Sequence, residues 1–146
     1  TSGNQTYTGA VNIANNPTLS ANGITFNNTV NGNSNLTANA TTGKLTFEKT
    51  VGTTLINLTA SGNTIDIKDD ITTSGNQTYT GAVNIANNPT LSANGITFNN
   101  TVNGNSDLTA NATTGKLTFE KTVGTSNLTA SANTIDIKDD ITTSGN

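Results

Sequence analysis

Cysteine, histidine, arginine, methionine and tryptophan are all missing from this 146-residue chain, and only 4% of it is aromatic and 10% charged. These absences remove whole classes of chemistry. Without His or Cys there is no imidazole metal site, no thiol nucleophile and no Ser-His-Asp triad. Six Lys set against nine acids, net charge −3, make no basic stripe for nucleic acid. The lack of cysteine fits a secreted protein that does without disulfides, and many cytosolic ones too. No apolar run approaches membrane-spanning length, and no signal peptide is visible. A conventional globular core is also hard to assemble from so few large hydrophobes.

What the chain does contain is itself, twice. Thr1-Ser2-Gly3-Asn4-Gln5-Thr6-Tyr7-Thr8 returns at Thr73–Thr80, a shift of 72 positions, and TSGNQTYTGAVNIANNPTLSANGITFNNTVNGNS is identical in both copies. The first repeat spans 1–72, the second 73–142 is two residues shorter, and 143–146 begin a third. The copies differ in Asn35/Asp107, Thr54/Ser126 and Gly62/Ala132, and Leu55-Ile56 has no counterpart. Because a length change inside a strand would flip its faces, residues 53–57 read as a corner loop from which Leu55 and Ile56 bulge. An array of this kind points to architecture before chemistry, and the chain reads as part of a longer one.

Asn (26 residues) and Thr (32) dominate, and Gly and Asn recur too often for a helix. The apolar residues alternate in short strands such as Thr6-Tyr7-Thr8, Ile24-Thr25-Phe26, Leu45-Thr46-Phe47 and Ile65-Asp66-Ile67. Each has an aliphatic four residues on: Val11, Val30, Val51 and Ile71. A third set, Thr18-Leu19-Ser20, Leu36-Thr37-Ala38 and Leu58-Thr59-Ala60, lies between Asn/Gly/Ser clusters such as Asn31-Gly32-Asn33 and Ser61-Gly62-Asn63 that read as turns. From Tyr7 the aligned positions are spaced by 19, 21 and 20 residues to Phe26, Phe47 and Ile67, then by 12 to Tyr79.

Spacings near 20 suit one turn of a three-sided parallel β-helix, an all-β solenoid with about three rungs per repeat; a trimmed fourth rung is the alternative. Two-sheet sandwiches of about 72 residues would have a poor core. The expected solenoid is one continuous stack. Tyr7, Phe26, Phe47, Tyr79, Phe98 and Phe119 would line one inner column and Val11, Val30 and Val51 a second. Asn and Thr would form ladders at the corners, where Asn tolerates left-handed backbone. Stacking Ile67 on Phe47 would pair Glu48 with Lys68 and Lys49 with Asp69, and in the second copy Glu120 with Lys138 and Lys121 with Asp139. Open first and last rungs would recruit further strands and favour end-to-end association.

GNQTYTGAVNI, LSANGITFNNTVNG and LTANATTGKLTFEKTVG together resemble the repeats of filamentous-haemagglutinin-type adhesins and related large autotransporter proteins of Gram-negative bacteria. The resemblance implies a right-handed parallel β-helix at the cell surface or secreted, acting as a shaft or adhesive fibre. It carries no catalytic motif to transfer. This chain is richer in Asn and poorer in Gly and Ala than those repeats.

Among the remaining chemical groups, the carboxylates Asp66, Asp69 and Asp70, with Asp136, Asp139 and Asp140, read as solvated structural charge; a calcium site is the minority alternative. Acidic pairs can also serve polysaccharide-cleaving β-helices, but active sites seldom come in identical tandem copies. Asn-x-Thr sequons occur at Asn4, Asn27, Asn35, Asn39, Asn57, Asn76, Asn99, Asn111 and Asn127, as this composition produces by chance; glycosylation is the minor reading. The flat Thr-x-Thr rank that ice binding needs is broken by Glu48 and Lys68. The expectation is a non-enzymatic shaft with no cofactor, whose partners are neighbouring repeats. The second reading is a solenoid flank that binds a glycan or a host protein. Insertion into a membrane and nucleic-acid binding are not expected.

Overall fold

In the computed structural model, which describes residues 1–145, every regular element is a strand and every strand pairing is parallel. The chain winds as a β-solenoid of about seven turns, as the spacing led one to expect. Each turn crosses three faces. The first rung shows them in order: Gln5–Tyr7 on face one, Val11–Ile13 on face two, Thr18–Ala21 on face three. Ile24–Phe26 then returns to face one and pairs on Gln5–Tyr7. Fifteen strands form a single hydrogen-bonded network that runs through the boundary between the two repeats.

The register shows why the fourth spacing is short. Face one stacks Tyr7, Phe26, Phe47, Ile67 and Ile85 in succession. Tyr79, the repeat mate of Tyr7, is not on that face; it lies on face three, over Ala60 and beneath Phe98. A repeat therefore advances three turns and two further faces, about 3⅔ turns. No rung is trimmed. Each copy is wound on rotated by one face, so that Val11 lies on face two and Val83 on face one.

This rotation corrects the expected single aromatic column. There are two stacks of three: Tyr7–Phe26–Phe47 on face one and Tyr79–Phe98–Phe119 on face three, with ring centroids 5.0–5.3 Å apart and planes within 13°. The reason is volume. A narrow interior holds one large ring per rung, and small residues sit on another face of the same rung, as Ala38 does with Phe26 and Ala60 with Phe47. Val11, Val30, Val51 and Ile71 form the expected aliphatic column on face two.

Corners carry the Asn chemistry. Asn15 and Asn16, with their copies Asn87 and Asn88, have φ of 53–62°, left-handed values that Asn adopts more readily than most residues. Asn16, Asn35 and Asn57 form a ladder: the Asn35 amide donates to Asn16 at 3.0 Å, and Asn57 donates to Asn35 at 2.7 Å. Where the second copy substitutes Asp107, its carboxylate accepts from both the side-chain and the backbone N–H of Asn127.

Two expected turns need correction. Ser61-Gly62-Asn63 bends around a corner inside one strand, Leu58–Ile67, and Asn31-Gly32 belongs to Val30–Gly32. Residues 53–57 lie outside strands as expected, yet Leu55 is fully buried and only Ile56 is exposed. The inner side of that corner must be filled, and Leu55 fills it. In the shorter second copy Thr125 turns inward instead, buried, with its hydroxyl donating to Asn127 O at 3.2 Å.

Candidate functional site

The acidic residues are used one at a time. Asp66 faces outward from face one, where its Oδ2 accepts from Lys44 Nζ at 2.8 Å; Asp136 and Lys116 repeat the pair at 2.7 Å on face three. These pairs were missed because they are diagonal: Lys44 is level with Thr64, and Asp66 with Thr46. The Lys116 ammonium holds the Asp136 carboxyl below its usual range. The expected stacked pairs Glu48–Lys68 and Glu120–Lys138 are present, each at 2.7 Å, and Glu48 and Glu120 raise the pKa of their lysines.

Lys49–Asp69 and Lys121–Asp139 do not form. Both members lie in the bend between one face and the next, although the pairing on either side, Phe47 with Ile67 and Val51 with Ile71, keeps one register. Asp69 accepts from the Asp70 amide at 2.8 Å instead, and Asp139 from that of Asp140. Asp70 caps the next rung, accepting from Thr90 N at 2.7 Å. Among the described residues no three such side chains converge on a common point that could hold a metal ion.

A groove occurs once in each copy. In the first copy, outward Thr6, Thr25 and Thr46 form an in-register ladder, and the bend containing Asn22-Gly23 and Gly43-Lys44 forms its other wall. The groove holds about 260 Å³. Its copy, with Thr78 and Thr97 against Asn94-Gly95 and Gly115-Lys116, holds about 330 Å³ on the next side of the solenoid. The backbone is tight at this bend, since a Cβ on Gly43 would meet Asn22 O at 2.6 Å. The ladder ends at Asp66, level with Thr46, whose Oδ1 is buried without a partner. These walls present hydroxyls, amides and one Lys–Asp pair, with no imidazole, thiol or nucleophile–base pair. They can hydrogen-bond a polar chain.

No family model, curated protein or solved structure matches this chain. The class defined by the coordinates is a tandem-repeat parallel β-solenoid; the likeness to filamentous-haemagglutinin-type repeats rests on the quoted residues alone. Among the described residues, no helix is long and apolar enough to cross a membrane.

Proposed function

We propose that this chain is a length-setting shaft segment of a large bacterial surface or secreted adhesin, holding a binding region away from the cell. The observation that carries the reading is the repeat junction. Gln77–Ile85 of the second copy stacks on Leu58–Ile67 of the first with the same parallel pairing used inside each copy, so the array has no hinge at its repeat boundary. Copy number then sets length. At about 4.8 Å per turn, a repeat of about 3⅔ turns adds roughly 18 Å. The test is small-angle scattering on chains of two, four and six repeats. A maximum dimension growing by about 18 Å per repeat supports the shaft, and a compact particle refutes it.

The paired grooves favour a second reading, in which the flank itself binds a hydroxyl-rich chain such as a glycan. Because each repeat turns the groove by one face, an array would offer it in three directions. A glycan-array screen of the chain separates the two readings.

A further inference from the structure

The rotation between the copies joins two threonine ranks that lie far apart in the sequence. On face three of the first copy the outward residues Thr18, Thr37 and Thr59 lie level on successive rungs. Across the seam Thr59 is level with Thr78, and the rank runs on through Thr97 and Thr118 until Asp136 ends it. Each copy supplies three of the six. On face one the rank of Thr6, Thr25 and Thr46 meets Asp66 instead. The continuous threonine rank that charge interrupts on face one is therefore present on face three.

Polar, uncharged ranks flank it. Asn35, Asn57 and Asn76 stand two residues before their threonines, and Ser20, Asn39, Ser61, Thr80 and Asn99 two residues after. From the rung of Thr18 to that of Thr97, no residue in these ranks is charged. The flanking side chains are tied to one another: Asn57 donates to Asn35 at 2.7 Å, Ser61 to Asn39 at 3.0 Å and Asn99 to Thr80 at 3.3 Å. Corner threonines are tied as well, Thr41 to Ala21 O and Thr113 to Ala93 O, each at 3.1 Å. The central rank differs. Among the described residues no protein group bonds the hydroxyl of any of its six threonines, including Thr118, only 6% exposed. The rings of this face, Tyr79, Phe98 and Phe119, are all buried in the inner stack, so a sugar has no aromatic surface to lie on.

We propose that face three binds ice. The six hydroxyls repeat at the rung spacing, about 4.8 Å, which is close to the oxygen repeat along one axis of hexagonal ice. The branched Cβ of threonine restricts χ1, so each hydroxyl is held beside its methyl in a repeated position. Water bonded to these unpartnered hydroxyls takes up the order of the sheet. Over the first five rungs no charged side chain of this face draws that water into a hydration shell of its own. A layer ordered in this way joins the surface of an ice crystal and stops its growth there. The inference goes beyond the shaft and glycan readings, since its ligand is crystalline water. In a longer array every seam builds one such rank, turned by one face from the last.

Nanolitre osmometry is the experiment, because it reads the gap between the melting and freezing points of a single ice crystal together with the crystal's shape. The full chain is expected to open a gap that grows with concentration and to facet the crystal. Thr59→Tyr and Thr78→Tyr, one on each side of the seam, raise a ring out of the rank and should each lose most of the gap. Asn84→Tyr places the same ring on the strand of Thr78 but around the corner on face one, at an exposed position, and should keep it. Should a tyrosine in the rank prevent folding, Thr59→Lys sets a strongly hydrated charge at an exposed position and should lose the gap likewise. No gap for the wild-type chain, an equal loss in Asn84→Tyr, or an undiminished gap in the Thr59 and Thr78 variants would overturn the proposal. Retention on crystalline cellulose or chitin with no gap would also overturn it, and would make the face a polysaccharide site.

Discussion

Gln77 and Gln5 are the same residue of the repeat, yet their environments differ completely. Gln77 is fully buried, its amide donating to Ile71 O and Ser92 O while its oxygen accepts from the Tyr79 hydroxyl at 2.9 Å. Gln5 keeps only the bond from Tyr7, at 3.1 Å. Gln77→Ala is therefore expected to destabilise by about 2–4 kcal/mol, since it strands several buried groups, and Gln5→Ala by no more than about 1 kcal/mol. Urea midpoints of the two variants check this. Burial also pushes the Tyr79 phenol well above its usual pKa, and Lys68 and Lys138 are raised by their glutamates. Groups with raised folded pKa values contribute fully below about pH 10 and lose that contribution above it. Asp136, lowered by Lys116, contributes above the ordinary carboxylate range and is lost as the pH falls through it. With no histidine or cysteine, no side chain has an ordinary pKa between these limits. Thermal melts should show a plateau from about pH 5 to 9, with losses on both sides.

At the scale of the strand and its corner, neighbours decide what a residue tolerates. A Cβ on Gly81 would fall 1.9 Å from Gly62 O, whereas one on Gly9, the same residue on the first rung, meets nothing within 4 Å. Gly81→Ala should cost several kcal/mol by pushing the seam apart, while Gly9→Ala should be neutral or slightly stabilising through the unfolded chain. The 53–57 corner offers a matching comparison. Leu55→Ala should cost about 2–4 kcal/mol as a core truncation, and Ile56→Ala should stay within about 1 kcal/mol. Equal costs for the pair, measured by denaturant unfolding, would return Leu55 to the surface. Deleting both residues asks Thr53 to turn inward as Thr125 does. The intact second copy shows that the fold survives this, with a hydroxyl in place of a leucine.

Across the whole molecule, stability belongs to the stack. Terminal rungs lack a partner on one side, and every added repeat buries another seam like that between Leu58–Ile67 and Gln77–Ile85. Denaturation midpoints should rise from one repeat to two to three and then level off; identical midpoints would mean that each repeat folds alone. The winding of about 3⅔ turns also means that three repeats, eleven turns, bring the same surface back to the same face. Any feature of the flank then recurs on one side about every 53 Å at 4.8 Å per turn. A label on Lys44 and its copies in a six-repeat chain, imaged by electron microscopy, should show that period.

Much of this was legible in the residues. The spacings of 19, 21 and 20 define rungs because only stacking in register buries Tyr7, Phe26, Phe47 and Ile67 together. The same register predicted Glu48–Lys68 and Glu120–Lys138, since they adjoin strand ends whose pairing the apolar residues dictate. Three things were decided only in three dimensions. The sequence period and the winding period are incommensurate, so Tyr7 and Tyr79 separate onto different faces, and no local pattern reveals a phase accumulated over several turns. Lys44–Asp66 depends on a diagonal reach between side chains that are not level. The loss of Leu55-Ile56 looked like loop variation because alignment cannot see that an inner corner must stay full, by leucine in one copy and by threonine in the other.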